Sequence, residues 1–108
     1  MSACMIYITA ASHEEAADLG RRLVNNRLVA CANVLGPITA IFFWEGEARE
    51  EGEVAMVAKT QEDMVEHIVS RVKEWHSYDC PCVISMPIKD GNPEFLEWIA
   101  EETANAAI

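Results

Sequence analysis

Basic residues are scarce in this chain: eight Lys and Arg stand against eighteen Asp and Glu, a formal charge of −10. A surface of that sign repels phosphate backbones, and no basic cluster offers a local exception, so no nucleic-acid partner is expected. Long apolar runs are also missing. Nowhere do about 18 apolar residues follow one another, so no membrane span is expected. Cysteine is confined to Cys4, Cys31, Cys80 and Cys82. They lack the dense spacing of a secreted disulfide scaffold, and all four are expected to stay reduced. The opening MSACMIYITAAS has no basic leader before its strand pattern, which suggests a cytoplasmic protein or the mature part of something longer. Linkers, repeats and low-complexity stretches are missing too, so residues 1–108 read as a single domain.

What the chain does have is apolar weight. Half of it (51%) is hydrophobic, enough at this length to build a core without metals or disulfides. The organising stretch is ITAIFFWEGEAREEGEVAMVAKT, Ile38 to Thr60. Two apolar runs, Ile38 to Trp44 and Val54 to Ala58, flank a charged, glycine-containing tip from Glu45 to Glu53, the pattern of a long β-hairpin. The tip carboxylates read as a solvated turn, with weak gathering of hard cations as the alternative. A strand with one solvated face alternates apolar and polar residues. This hairpin does not. Ile38, Ala40, Phe42 and Trp44 take one side, while Ile41 and Phe43 share the other with Thr39. Both faces call for cover.

Around the hairpin the periodicity sets out further elements. Cys4 to Ala10 reads as a buried strand. Ser12 with Glu15 three residues on is a capping box opening a helix that ends at Asn25-Asn26. Leu28 to Leu35 reads as a second strand, with Gly36-Pro37 marking a bulge, bend or edge. Thr60, with Asp63 three residues later, is expected to cap a helix whose stripe is Met64, Val65, Ile68, Val72 and Trp75. Cys82 to Ile88 is the last core strand. Asn92 caps a terminal helix with Pro93 at its first position, and Phe95, Leu96 and Ile99 are expected to face inward.

The order β-α-β-β-α-β plus a C-terminal helix is the α+β, ferredoxin-like split βαβ arrangement. It places both main helices on one face of an antiparallel sheet. In a lone chain the other face would leave several Val, Ile, Phe and Met side chains in water, a loss of several kcal/mol at about 25 cal/mol per Å². Hairpin arms of ~13 residues at about 3.3 Å each reach some 43 Å, beyond a globule of about 13 Å radius of gyration. The tip should overhang its own domain, and the protein should be an obligate oligomer.

Taken in order, TAxSxEEA (Thr9 to Ala16), LVxxRLVACANV (Leu23 to Val34), ITAIFFWEGE (Ile38 to Glu47), VAMVAKT (Val54 to Thr60), WHSYDCP (Trp75 to Pro81) and MPIKDGNPEFLEWI (Met86 to Ile99) resemble the CutA divalent-cation-tolerance family over nearly the whole chain. The resemblance implies a tight homotrimer whose hairpins wrap neighbouring subunits. It also implies a likeness to PII-type signalling proteins, whose sites lie in clefts between subunits, and a link to metal tolerance and copper binding. One segment departs from the family pattern His-Pro-Tyr-(Glu/Gln)-x-Pro-Glu. Here it is His76-Ser77-Tyr78-Asp79-Cys80-Pro81-Cys82, so a thiol stands where a carboxylate would serve as acid, base or hard-metal ligand.

His76, Cys80 and Cys82 are the candidate metal ligands. Imidazole and thiolates suit Cu(I) or Zn(II) before Mg or Ca, although C-P-C is not the C-x₂-C spacing of structural zinc sites. The alternative is a small core residue at Cys82 and a loop residue at Cys80. No obligatory cofactor is expected, only a Cu or Zn ion. Trp44, Glu45, Lys59 and Tyr78 match family motif positions at strand ends and in the connecting segment. They are expected to line an inter-subunit pocket for a small anionic ligand or a hydrated cation, or else to form a trimer-stabilising cluster. Lys59 should emerge at a cleft rim or meet a carboxylate such as Glu45.

No Ser-His-Asp, Cys-His-Asp or paired-carboxylate set assembles. An acylphosphatase-like enzyme would need an anion-cradling loop with arginine after the first strand, where this chain has Ala10-Ala11-Ser12-His13-Glu14-Glu15. An RNA-recognition domain would need a basic sheet with paired aromatics. The sequence therefore favours a non-enzymatic trimer that senses a metal ion or small ligand. A purely structural hub, or a small enzyme using His76 and Tyr78 as acid and base, are the alternatives.

Overall fold

Alternation along the first strand sets up the whole molecule. In the structure, a computed structural model describing residues 2–108, β1 (Ala3–Ala10) buries Cys4, Ile6, Ile8 and Ala10 on one face. Its two neighbours, β3 (Glu47–Gln61) and β4 (Val83–Pro87), both pair with it antiparallel. β2 (Cys31–Trp44) pairs antiparallel with β3, giving the strand order β2-β3-β1-β4 of a ferredoxin-like α+β fold. Helices α1 (His13–Asn25) and α2 (Val65–Trp75) close the core, placing Leu19, Leu23, Ile68 and Val72 against Ile6, Ile8, Met56 and Ala58. A third helix, α3 (Pro93–Glu102), packs on β1 and β3 with Ile99 fully buried outside that cluster. The tail returns to the helices: Ala107 N–H donates to the Asn26 carbonyl at 2.8 Å, and Arg71 donates to the Ala107 carbonyl at 2.9 Å.

The N-caps Ser12 and Asn92 are realised, but Glu15 returns its carboxylate to Ala11 N–H rather than closing the box on Ser12. Ser12 Oγ accepts from Glu15 N–H at 3.1 Å, and Asn92 Oδ1 accepts from Glu94 N–H at 3.1 Å. The Gly36-Pro37 interruption is a bulge, with a register shift between Val34 and Gly36, where Gly36 takes a φ of 121°. Only glycine adopts such a torsion at low cost. The extra residue resets the alternation. Before it, Ala32 and Val34 face the helices; after it, Ile38, Ala40, Phe42 and Trp44 share the opposite face with Glu53, Glu51, Arg49 and Glu47.

Four local expectations are corrected. The segment from Glu45 to Glu53 is not a loop, because β3 begins at Glu47 and the turn is only Glu45-Gly46. Both turn residues have positive φ, 51° and 79°, as a two-residue hairpin matching the strand twist requires. Thr60 does not cap a helix. It is a fully buried strand residue whose hydroxyl donates to the Leu28 carbonyl at 2.6 Å, and a 3₁₀ turn over Glu62–Met64 leads into α2 instead. Leu28, Val29 and Ala30 are buried but precede the strand. Arg27 and Leu28 N–H groups close the end of α1 on Val24 and Leu23, so their geometry is not extended. Phe95 does not face inward: it is exposed and tilts against Trp98, with ring centroids 5.3 Å apart.

The face turned away from α1 and α2 carries apolar groups in water, with Ile84 55% and Met86 45% exposed on β4. Because β1 pairs only as far as Val54, the distal arms of β2 and β3 form a two-stranded ribbon beyond the domain. Its Ile41 and Phe43 side is bare, at 70% and 73% exposed, while the side carrying Ile38, Ala40 and Phe42 is half-buried. The molecule is 44 Å long and 27 by 22 Å across. The overhang expected from strand length is present.

Candidate functional site

Where the ribbon leaves the domain, the segment joining α2 to β4 folds beside it and a cavity of about 670 Å³ opens between them. Its floor is the uncovered sheet face, with Tyr7 and Thr9 from β1 and Ile38, Phe42 and Trp44 from β2. Carboxylates of Glu51 and Glu53 enter from β3, and Asp79 from the connecting segment. Both Cys80 and Cys82 line it as free thiols. Arg49 is the lining cation, but its guanidinium is drawn to the tip, 3.4 Å from Glu45 and 3.6 Å from Glu47. The cavity is therefore negative with apolar walls.

Tyr78 joins the two sides by donating its hydroxyl to Glu53 Oε2 at 2.8 Å. Burial, the Glu53 hydrogen bond and the nearby Glu51 and Glu15 carboxylates push its ionisation up to about 12. Burial likewise pushes the Cys82 thiol up; a hydrogen bond with Thr9 pulls the other way, and Glu53 adds to the rise. A cation binding at that sulfur must therefore displace its proton.

His76 is at the base of the segment with its side chain fully shielded. Its Nδ1 accepts from Tyr78 N–H at 3.0 Å, which leaves Nε2 as the protonated nitrogen, donating to the Thr9 carbonyl at 2.8 Å. The imidazole has no nitrogen lone pair left for a metal. Beside it, Glu15 gathers Ser77 N–H at 2.9 Å, Ser77 Oγ–H at 3.1 Å and Ala11 N–H at 2.9 Å, and lies 3.8 Å from His76 Nδ1. Burial alone would raise the Glu15 carboxyl. The hydrogen bonds from Ala11 and Ser77 outweigh it and hold the group below the usual carboxylate range.

The candidate residues are therefore distributed as follows. Cys80, Cys82, Tyr78 and Trp44 come to one cavity. His76 supports that segment from below. Glu45 sits in the exposed turn, and Lys59 is at the other end of the hairpin, where its ammonium donates to Asn33 Oδ1. Within one chain Lys59 does not meet Glu45, because the full hairpin separates them. Nor do His76, Cys80 and Cys82 form a ligand shell: among the described residues, no three His, Cys, Asp or Glu side chains gather as a metal-binding set. The chain's own residues do not by themselves fit a resident metal ion. Sequence reading weighed Glu51 and Glu53 only as carboxylates of a solvated turn, and it missed them and Phe42 as cavity-lining groups. Carrying the strand alternation through Glu47 to Glu53, rather than reading a loop there, would have placed them on one face.

Comparison with known proteins gives a consistent result. The family model described as CutA1 divalent ion tolerance protein matches residues 4–102. The divalent-cation tolerance protein CutA of Archaeoglobus fulgidus is 44% identical over 96 residues, spanning 89% of this chain and 93% of that one. A solved structure from the same organism, described as a periplasmic divalent cation tolerance protein, aligns with a TM-score of 0.90 at 42% identity, covering 94% and 98% of the two chains. The Thermus thermophilus divalent cation tolerance protein aligns at 0.91 with 36% identity over 94% and 98%.

Proposed function

This chain belongs to the CutA1 divalent ion tolerance family, and on that premise we propose that it is a PII-like homotrimer that takes up cations in clefts between its copies, in metal response or signalling rather than in catalysis. The observation that carries this is the bare apolar ribbon and sheet face beside the acidic cavity. Burying that surface against neighbouring copies recovers about 25 cal/mol per Å², and a ribbon extending past its own domain has the reach to do it. Charge selects the guest. Three carboxylates line the cavity and Lys59 is remote from it, so a cation is favoured over a small anion. Cys80 and Cys82 are the donors offered to a Cu or Zn ion, with further ligands supplied by an adjacent copy. His76 joins them only by giving up its bonds to Thr9 and Tyr78. Those same bonds argue against His76 as a general base in the enzyme alternative. An overhanging tip gives Glu45 the reach to meet a neighbour's Lys59.

Light scattering at micromolar concentration is expected to give three chains per particle, and a folded single-chain particle would overturn the proposal. In titrations of reduced protein, Cu or Zn affinity is expected to fall at least about tenfold in Cys80→Ser/Cys82→Ser variants that keep the native mass. Unchanged affinity would instead favour the purely structural hub. A cytoplasmic location suits the four free thiols. The Archaeoglobus fulgidus structure is described as periplasmic, and cell fractionation decides between the two compartments for this chain.

A further inference from the structure

At the end of β3 away from the hairpin tip, we propose a second site, one that takes a small neutral primary amide. A cavity of about 300 Å³ opens there between the 3₁₀ turn, the end of α3 and the tail, with Met64, Ala100, Ala106 and Ile108 among its walls. Its lining shares no residue with the acidic cavity or the bare ribbon, and α3 packs on the sheet at this end. Gln61, the last residue of β3, lines it while only 5% exposed. The Gln61 Oε1 atom is shielded and has no hydrogen-bond partner among the described residues. Buried side-chain oxygens are rarely left so, and an orphaned one asks for a donor. The last torsion of a glutamine is soft, so the carboxamide turns Oε1 toward the cavity at little cost.

The remaining polar groups are acceptors as well. Thr103 gives its proton to the Ile99 carbonyl at 2.9 Å, which leaves its oxygen free to accept, and the exposed Asp63 adds a carboxylate at the rim. A guest must therefore donate. Its size follows from the volume: a single water needs only about 10–15 Å³, whereas this cavity is at the lower end of small-molecule sites. Met64 and the methyl groups of Ala100, Ala104 and Ala106 suit a short, branched apolar body. Neutrality follows from the orphan, which belongs to an uncharged group; a charged donor there would leave water without a buried counter-charge. A primary amide is the complement, donating one N–H to Oε1 and accepting one from Nε2.

The test is NMR titration of the full 108-residue chain in its native assembly with isobutyramide, its ketone isostere 3-methylbutan-2-one, and isobutylammonium. Isobutyramide is expected to shift the Gln61 side-chain amide and the Ala104 and Ala106 methyl signals saturably, at about millimolar concentration. The ketone accepts but cannot donate, and is expected to bind at least about tenfold more weakly. Gln61→Leu is expected to weaken the amide about tenfold. Should that variant lose the native mass, Ala104→Leu, at an exposed position, fills the cavity instead and is expected to abolish binding. Equal binding of the ketone would mean an apolar groove, and tighter binding of isobutylammonium that Asp63→Asn removes would mean an ion site; either overturns the inference. Absence of a saturable shift with every probe would mean that the cavity takes water only, and overturns it too.

Discussion

Tyr78 donates its phenol to Glu53 across 2.8 Å, and this one contact holds the segment after α2 to the overhanging hairpin. Around it, residues from β1, β2, β3 and the connecting segment become a single cavity. Its removal should therefore be felt in both stability and alkaline titration.

Tyr78→Phe is expected to cost about 1 kcal/mol, below the usual range for a hydrogen bond to a charged group because the site is half-buried. Urea unfolding at neutral pH measures it. The folded-state ionisation of Tyr78 is raised to about 12, so its contribution is fully present below about pH 10, the ordinary tyrosine value. That contribution is lost as pH climbs through 12. Ultraviolet titration should show a late tyrosinate step near 12 that disappears in the variant. A wild-type titration lacking that step would count against the contact.

Glu15 behaves in the opposite sense. Its carboxyl is held low by hydrogen bonds from Ala11 and Ser77 that outweigh burial. Its stabilisation is thus complete above the ordinary carboxylate range and lost as pH falls through the depressed folded value. Glu15→Gln should cost about 1–2 kcal/mol at neutral pH, and its melting temperature should fall less steeply on acidification than that of the wild type. Parallel acid profiles for the two proteins would refute this.

Thr60→Val keeps shape but strips the Leu28 carbonyl of its buried donor. A loss of about 1–3 kcal/mol is expected, read as a lower denaturant midpoint with an unchanged slope. Thr60 also shows where sequence reading failed. T-x-x-D is a fair helix-start signal, but the residue was already committed to β3, and only the fold reveals that Leu28 waits for its hydroxyl. The capping residues Ser12 and Asn92 were legible because their partners lie within three residues.

Glu45→Asn should stabilise the hairpin. Glu45 holds φ at 51° before Gly46 at 79°, a left-handed pair that Asn-Gly adopts far more readily than Glu-Gly. A gain of about 0.5–1 kcal/mol is expected, with Gly46→Ala losing a similar amount. Thermal melts of the two variants check the sign, and shifts in the same direction would mean the turn is not of this type.

The strand order, both main helices and the overhang could be read from periodicity, because burial on a shared face writes itself into alternation. The ribbon's true extent could not. Beyond Val54 no third strand packs on it, so acidic residues from Glu47 to Glu53 imitate a loop. His76 misled for a related reason. Its residue type suits a metal, but both nitrogens are bonded to main-chain groups, one from Thr9 far away in sequence.

The register shift between Val34 and Gly36 divides β2 into a proximal piece seated on the helices and a distal arm that owes them nothing. Lengthening or trimming the arm by matched pairs of residues, one pair on each strand, would move the tip about 7 Å per step without reversing any side chain. The body would fold as before. How far a subunit extends is thus tunable independently of how it folds.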